Sequence, residues 1–155
     1  MQSRSRKIVA LNRKARHNYS VEKVFEAGIE LFGTEVKSIR NGNLNLKDGY
    51  CVVEDGQIYL LNMHITPYEK GNIFNKDPLR KRRLLMHKKE ILNLYNSVRL
   101  KGYSLIPLSV YFSNSKVKVE IGLCRGKKLY DKRADMAAKD AKRQIERQVK
   151  QKFRY

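Results

Sequence analysis

LIPLSVYFSNSKVKVEIGL, residues 105–123, decides the fold. Val117, Val119, Ile121 and Leu123 alternate with Lys116, Lys118 and Glu120, the two-residue period of a strand with one buried face. Leu105 to Phe112 is a second apolar run, and Ser113-Asn114-Ser115 between the two is a turn, so the stretch reads as a hairpin. Upstream, Tyr50–Val53 and Gln57–Met63 flank Glu54-Asp55-Gly56, where Asp-Gly supplies the positive φ angles of a tight turn. Val21–Phe32 is a further strand with an acidic edge of Glu22, Glu26 and Glu30. Helical signals are few. Thr34 caps a short helix, Glu35–Arg40, which ends at Asn41-Gly42. His87, with Glu90 three residues on, caps a second helix with an apolar face of Ile91, Leu92, Leu94, Tyr95 and Val98, stopped by Gly102. Residues 66–80, with Pro67, Gly71 and Pro78, read as loop. Several antiparallel strands with two or three short helices predict a mainly β protein, a small closed antiparallel barrel resembling an oligonucleotide-binding fold.

The 155 residues fit one domain and an appendage. No internal repeat is present, and composition breaks near Gly126, which divides the chain into a barrel at 1–125 and a basic tail at 126–155. The tail carries eleven Lys or Arg against four acids, with no Gly or Pro after Gly126. Such a segment cannot bury enough apolar surface to fold alone. Its apolar stripe, Ala134, Ala137, Ala141, Ile145, Val149 and Phe153, recurs about every four residues, and Lys139, Arg143 and Arg147 share a face, with Asp131 placed to cap. The expectation is a tail disordered when free and helical when bound. A permanently disordered solubilising tail is the plainer alternative, but it has no need of that period.

Formal net charge is +19, unevenly placed. Residues 1–16 hold six basic residues and no acid, 76–89 hold seven against one, and 17–75 hold five against eight. A slightly acidic body with three basic patches is the footprint of a nucleic-acid partner. A membrane surface is the rival anion, but the tail's stripe is thin and Ala-rich. No run nears the roughly 18 apolar residues of a span, and Ile8–Leu11 is shorter than the roughly 7–15 residues of a signal-peptide core. Cys51 and Cys124 lie in strand-like runs without metal spacing, so buried reduced thiols in a cytoplasmic protein are expected.

Four constellations bear on chemistry. Asn12, Arg13, Lys14, His17 and Tyr19 mix cations, amides and aromatics that can meet phosphates, base edges and stacked bases, although a frayed basic terminus has the same composition. Arg80-Lys81-Arg82-Arg83 beside Leu84-Leu85-Met86 is either a phosphate clamp with an apolar wedge or a solvated loop entering a core strand, with Leu84 and Met86 inward and Leu85 outward. Glu26 and Glu35 have no paired acid, and such residues more often orient an Arg, accept from a base amine or face water. His17, His64 and His87 are scattered, with His64 a core or rim residue, and the glycines form no phosphate-binding loop. No enzyme, metal, cofactor or small-molecule substrate is expected. A nuclease would need clustered acids or a nucleophile.

Five blocks in order resemble the SsrA-binding protein family of bacterial trans-translation: ALNRKARHNY at 10–19, FEAGIELFGTEVKSIRNG at 25–42, HITPYEKG at 64–71, DPLRKRRLLMHKKEI at 77–91 and VKVEIGLCRGKKLYDKR at 117–133. The resemblance implies binding of transfer-messenger RNA (tmRNA) at the elbow of its tRNA-like domain, as a monomer and with an elongation factor on the charged RNA. It implies entry into stalled ribosomes and contact with small-subunit rRNA at the decoding centre. By position, Asn12, Arg13, Lys14, His17, Tyr19, Glu26, Glu35, Lys37 and Leu85 look like residues at the tmRNA surface. Gly126 looks like a hinge, followed by Lys127 and Lys128. Tyr130-Asp131-Lys132-Arg133 resembles the element that reaches the decoding centre, with Tyr130 where many relatives carry His. The rest of the tail, including Lys139, Arg143 and Arg147, looks like the helix of the empty message channel. A generic single-strand RNA binder on the same barrel is the alternative.

Overall fold

The computed structural model describes residues 6–70, 75–127 and 136–145. Its elements are β1 (Arg6–Leu11), α1 (Arg13–Asn18), β2 (Tyr19–Ile29), α2 (Gly33–Arg40), β3 (Leu44–Asn45), β4 (Tyr50–Glu54), β5 (Gln57–Leu61), β6 (His64–Ile65), β7 (Arg82–Leu85), α3 (Lys88–Lys101), β8 (Ser104–Ser113) and β9 (Lys116–Gly126). Six strands close a ring in the order β8-β4-β5-β7-β2-β9, and β9 returns to β8. Every pairing is antiparallel. Closure removes the exposed sheet edges that an open arrangement would leave. Along β8, β1 pairs with Ser109–Ser113 and β4 meets Leu105. β3 and β6 make a separate two-stranded ribbon.

Local chemistry explains the corners. Asp55 and Gly56 both have positive φ, +49° and +75°, so β4 and β5 are joined by the tight turn that Asp-Gly favours. The β8–β9 turn narrows to Asn114 and Ser115, at φ +50° and +67°. Inward residues of the ring, among them Ile58, Leu60, Leu84, Val110, Val119 and Ile121, are at most 1% exposed and form one core. Outside the ring, Ala15 of α1 packs on Ile106, Leu108 and Cys124 in a second small cluster. Both cysteines are free and buried, and burial pushes the Cys124 thiol up to about 11.

Several expectations change. β2 ends at Ile29, not Phe32, and α2 begins at Gly33. Thr34 does not cap α2: Phe32 is the cap residue, and its backbone N–H donates to Glu35 Oε1 at 2.9 Å. A carboxylate reaching back satisfies a donor that the helix leaves open. On α3 only Ile91 and Leu94 are buried, while Leu92, Tyr95 and Val98 are exposed. His64 is exposed next to buried Ile65, a rim position. From Arg6 on, the basic N-terminal stretch folds into β1 and α1, which the pattern of residues 6–18 does not announce because β1 has no fully buried residue.

Candidate nucleic-acid interface

α1 carries Arg13, Lys14 and Arg16 exposed and His17 half-buried. It is positioned from beneath. Asn12 is only 5% exposed. Its Oδ1 accepts from Ala15 N at 3.1 Å, capping α1, and its Nδ2 donates to Leu46 O at 3.2 Å and Pro107 O at 2.9 Å. At the other end, Lys127 N donates to Asn18 O at 2.9 Å and Lys127 Nζ to Arg16 O at 3.1 Å. Its polar atoms hold the cationic helix on the barrel. Asn12→Ala is expected to lower unfolding free energy by about 1–3 kcal/mol, since it removes a cap and strands two buried carbonyls. Denaturant unfolding beside Arg13→Ala, which should stay within about 0.5 kcal/mol of wild type, checks this.

Glu26 and Leu85 do come together. Gly28 pairs with Leu85 on one side and Lys118 on the other, and Glu26 lies opposite Glu120. Side chains two apart on a strand share a face, so Glu26, Gly28, Leu85, Lys118 and Glu120 occupy one outer patch. Arg6 Nη2 and the Tyr111 hydroxyl both donate to Glu26 Oε2, the former at 3.3 Å. The Arg6 guanidinium also sits 4.9 Å above the Tyr111 ring. Arg16 of α1 pairs with Glu120 at 3.6 Å, so α1 and the patch form one continuous strip. Tyr19, half-buried, pairs with Gly126 at the end of that strip.

Glu35 lies elsewhere. Its carboxylate is 4% exposed and accepts from Arg82 Nε at 2.7 Å and from Arg80 Nη2 at 2.6 Å. Burial alone would raise its pKa, but hydrogen bonds from Arg80, the Phe32 amide and Arg82 outweigh that and hold it below the ordinary glutamate range. Arg82 is fully buried and also donates to Met63 O and Pro78 O. Arg82 is thus no solvated clamp residue, and Glu35 orients two arginines, one of the roles its isolation from other acids suggests. Arg82 occupies the inward position of β7 next but one to Leu84, and an inward arginine needs an inward acid. Lysine 81 is paired with Glu54, and Arg83 with Glu30 at 3.5 Å. Lys37 stands 5.4 Å over the Tyr68 ring and makes no ion pair with the strip among the described residues.

Residues 136–145 are helical with every side chain exposed, including Lys139 and Arg143. Lys128, Tyr130, Asp131, Lys132, Arg133 and Arg147 lie outside the described residues. Among the described residues no helix is long and apolar enough to cross a membrane, and no three metal-ligating side chains converge.

The family model described as SmpB protein matches residues 9–151. SsrA-binding proteins of Acetivibrio thermocellus, Clostridium tetani and Clostridium perfringens are 56%, 57% and 59% identical. These alignments cover 99%, 100% and 96% of this chain and 100%, 99% and 96% of theirs. A solved structure described as tmRNA-SmpB at the centre of the bacterial ribosome is 49% identical, with a TM-score of 0.65 over 77% of this chain and 85% of that one. With sequence agreement over nearly its whole length and structural agreement over 77% of it, this chain belongs to the SmpB family of SsrA-binding proteins.

Proposed function

We propose that this protein is an RNA-binding adaptor: the barrel binds the tRNA-like domain of tmRNA, and the tail takes the complex into stalled ribosomes for trans-translation. The reading rests above all on the full-length agreement with SsrA-binding proteins, whose name states their ligand. On this reading the RNA lies along the strip from α1 to Leu85. Arg13, Lys14 and Arg16 meet phosphates and set register, while Glu26 and Leu85 contact bases of a folded elbow. His17 and Tyr19 extend the strip toward Gly126. Lys37 joins it as a peripheral phosphate contact.

The tail has the second role. Gly126 is the point where it leaves the barrel, Tyr130 to Arg133 stack and pair at the decoding centre, and Lys139, Arg143 and Arg147 line one face of a helix in the empty message channel. Stacking survives Tyr130 in place of an imidazole, whereas a protonation switch near neutral pH does not. The protein acts as a cytoplasmic monomer without chemistry of its own, delivered with an elongation factor on the charged RNA.

Competition tests the barrel's part. A folded tRNA-like domain of tmRNA is expected to displace labelled single-stranded RNA of equal length at an at least tenfold lower concentration, in a shape reader rather than a strand binder. Equal competition would favour the generic single-strand reading.

A further inference from the structure

α1 spans six residues, Arg13–Asn18, too few to persist in water without support. Its middle is held by Ala15 packed on Ile106, Leu108 and Cys124, and its start by the Asn12 cap. The far end depends on the strand that leads into the tail. A helix leaves its last carbonyls open. Ala15 O accepts from the Tyr19 amide. Two more carbonyls are served by one distant residue. Asn18 O accepts from Lys127 N at 2.9 Å, and Arg16 O accepts from Lys127 Nζ at 3.1 Å. An ammonium placed there also answers the negative end of the helix dipole.

The same two bonds bear on the tail. Gly126 still pairs with Tyr19 in the β2–β9 ladder. Among the described glycines only Gly42, Gly56 and Gly102 have positive φ, so no left-handed turn occurs at Gly126. The residues on both sides of it are anchored. Arg125 Nη2 donates to the Tyr103 hydroxyl at 2.9 Å, and its guanidinium lies 5.1 Å from the centre of that ring. Lys127 is half-buried at the end of α1. Turning the chain at Gly126 would break both Lys127 bonds and uncap the helix.

α1 carries Arg13, Lys14 and Arg16, the cations that meet phosphate on the tmRNA reading above. Resting on that reading, we propose that Lys127 is a positioning residue shared by barrel and tail: it clasps the C-terminal end of α1, the tail turns only from Lys128 onward, and RNA seated on α1 tightens the clasp. Linkage makes the effect reciprocal. Whatever holds α1 in place also holds Lys127, and releasing Lys127 weakens RNA binding through α1, without a phosphate contact of its own.

Amide hydrogen exchange followed by NMR tests the clasp first in the free protein. Lys127→Met should speed exchange of the Ala15 and Tyr19 amides at least about tenfold, a local opening, while Val119 and Ile121 keep their wild-type rates. Lys127→Arg, which keeps a cationic donor, should exchange as wild type does. In the wild-type protein, saturation with the tRNA-like domain of tmRNA should slow the Lys127 amide by a similar factor. A double-mutant cycle on RNA affinity then separates positioning from contact. Lys127→Met should weaken binding roughly threefold to tenfold, the scale of one exposed hydrogen bond from a charged donor. With Arg13→Ala and Lys14→Ala already present, that loss should shrink to about twofold or less, because the helix being positioned then holds fewer phosphates. A loss of equal size in both backgrounds would make Lys127 a phosphate contact and overturn the proposal. So would unchanged Ala15 and Tyr19 exchange in Lys127→Met, or an RNA complex that leaves Lys127 exchange unchanged. Failure of wild-type protein to prefer the folded RNA in the competition above would instead remove the broader reading, with the exchange result in the free protein still standing.

Discussion

Glu35→Ala is expected to lower the unfolding free energy by about 3–5 kcal/mol, a large share of what a barrel this size has. The cause is the partner left behind. Arg82 is fully buried on the inward face of β7, and its Nε would lose the only carboxylate bonded to it among the described residues. Arg80 would lose its two hydrogen bonds to the same group, and α2 the carboxylate that caps Phe32 N. Changing both partners, Glu35→Leu with Arg82→Met, should recover much of the loss, because it removes the uncompensated charge. The deficit that remains would report the Met63 and Pro78 carbonyls, to which Arg82 donates at 2.7 and 3.1 Å. A single-variant loss under 1 kcal/mol in guanidinium unfolding would show that the network does not support the fold. The pH dependence has a definite sign. The folded carboxyl is held below its ordinary value, so its contribution is complete above the unfolded glutamate pKa of about 4.3 and is lost as pH falls through the lower folded value. Glu35→Ala should therefore flatten the acid limb of the stability profile.

Ending the chain after Lys128 should abolish tagging of stalled products while tmRNA affinity falls only modestly, within about tenfold if few phosphate contacts are lost. The barrel loses little by that cut. β9 is complete at Gly126, and both Lys127 bonds to α1 are kept. What goes is a stretch whose described part, residues 136–145, is a helix with every side chain exposed. A short helix of that kind is marginal in water without a partner surface. Tagging is read by accumulation of tagged product from a message lacking a stop codon, and affinity by titration of the tRNA-like domain. Equal collapse of both would mean that barrel and tail do not carry separable surfaces.

The barrel was legible because its strands state their own inside and outside. Val119 and Ile121 alternate with Lys118 and Glu120, and the first pair is buried as that period requires. Asp55-Gly56 named its own turn. α1 and β1 were not legible: their order comes from pairing with β8 and from Asn12 bonding to Leu46 and Pro107, partners 34 and 95 residues away. The site divided along the same line. Leu85 is exposed, as its alternation with buried Leu84 predicts. Orienting an arginine was one of three roles open to Glu35, and Arg82 read as a clamp or loop cation, because nothing local reveals that the two face each other across 47 residues.

By itself the sequence determined the strand periods, the tight turns, the excess of cations and the family. Each of these is set by neighbours a few residues apart or by composition. Only the tertiary structure decided which charges are available to RNA. Burial and pairing depend on residues that closure of the ring brings together, so Asn12 and Glu35 became internal supports. The same closure brought Lys127 to the C-terminal end of α1, 111 residues from the Arg16 carbonyl it bonds.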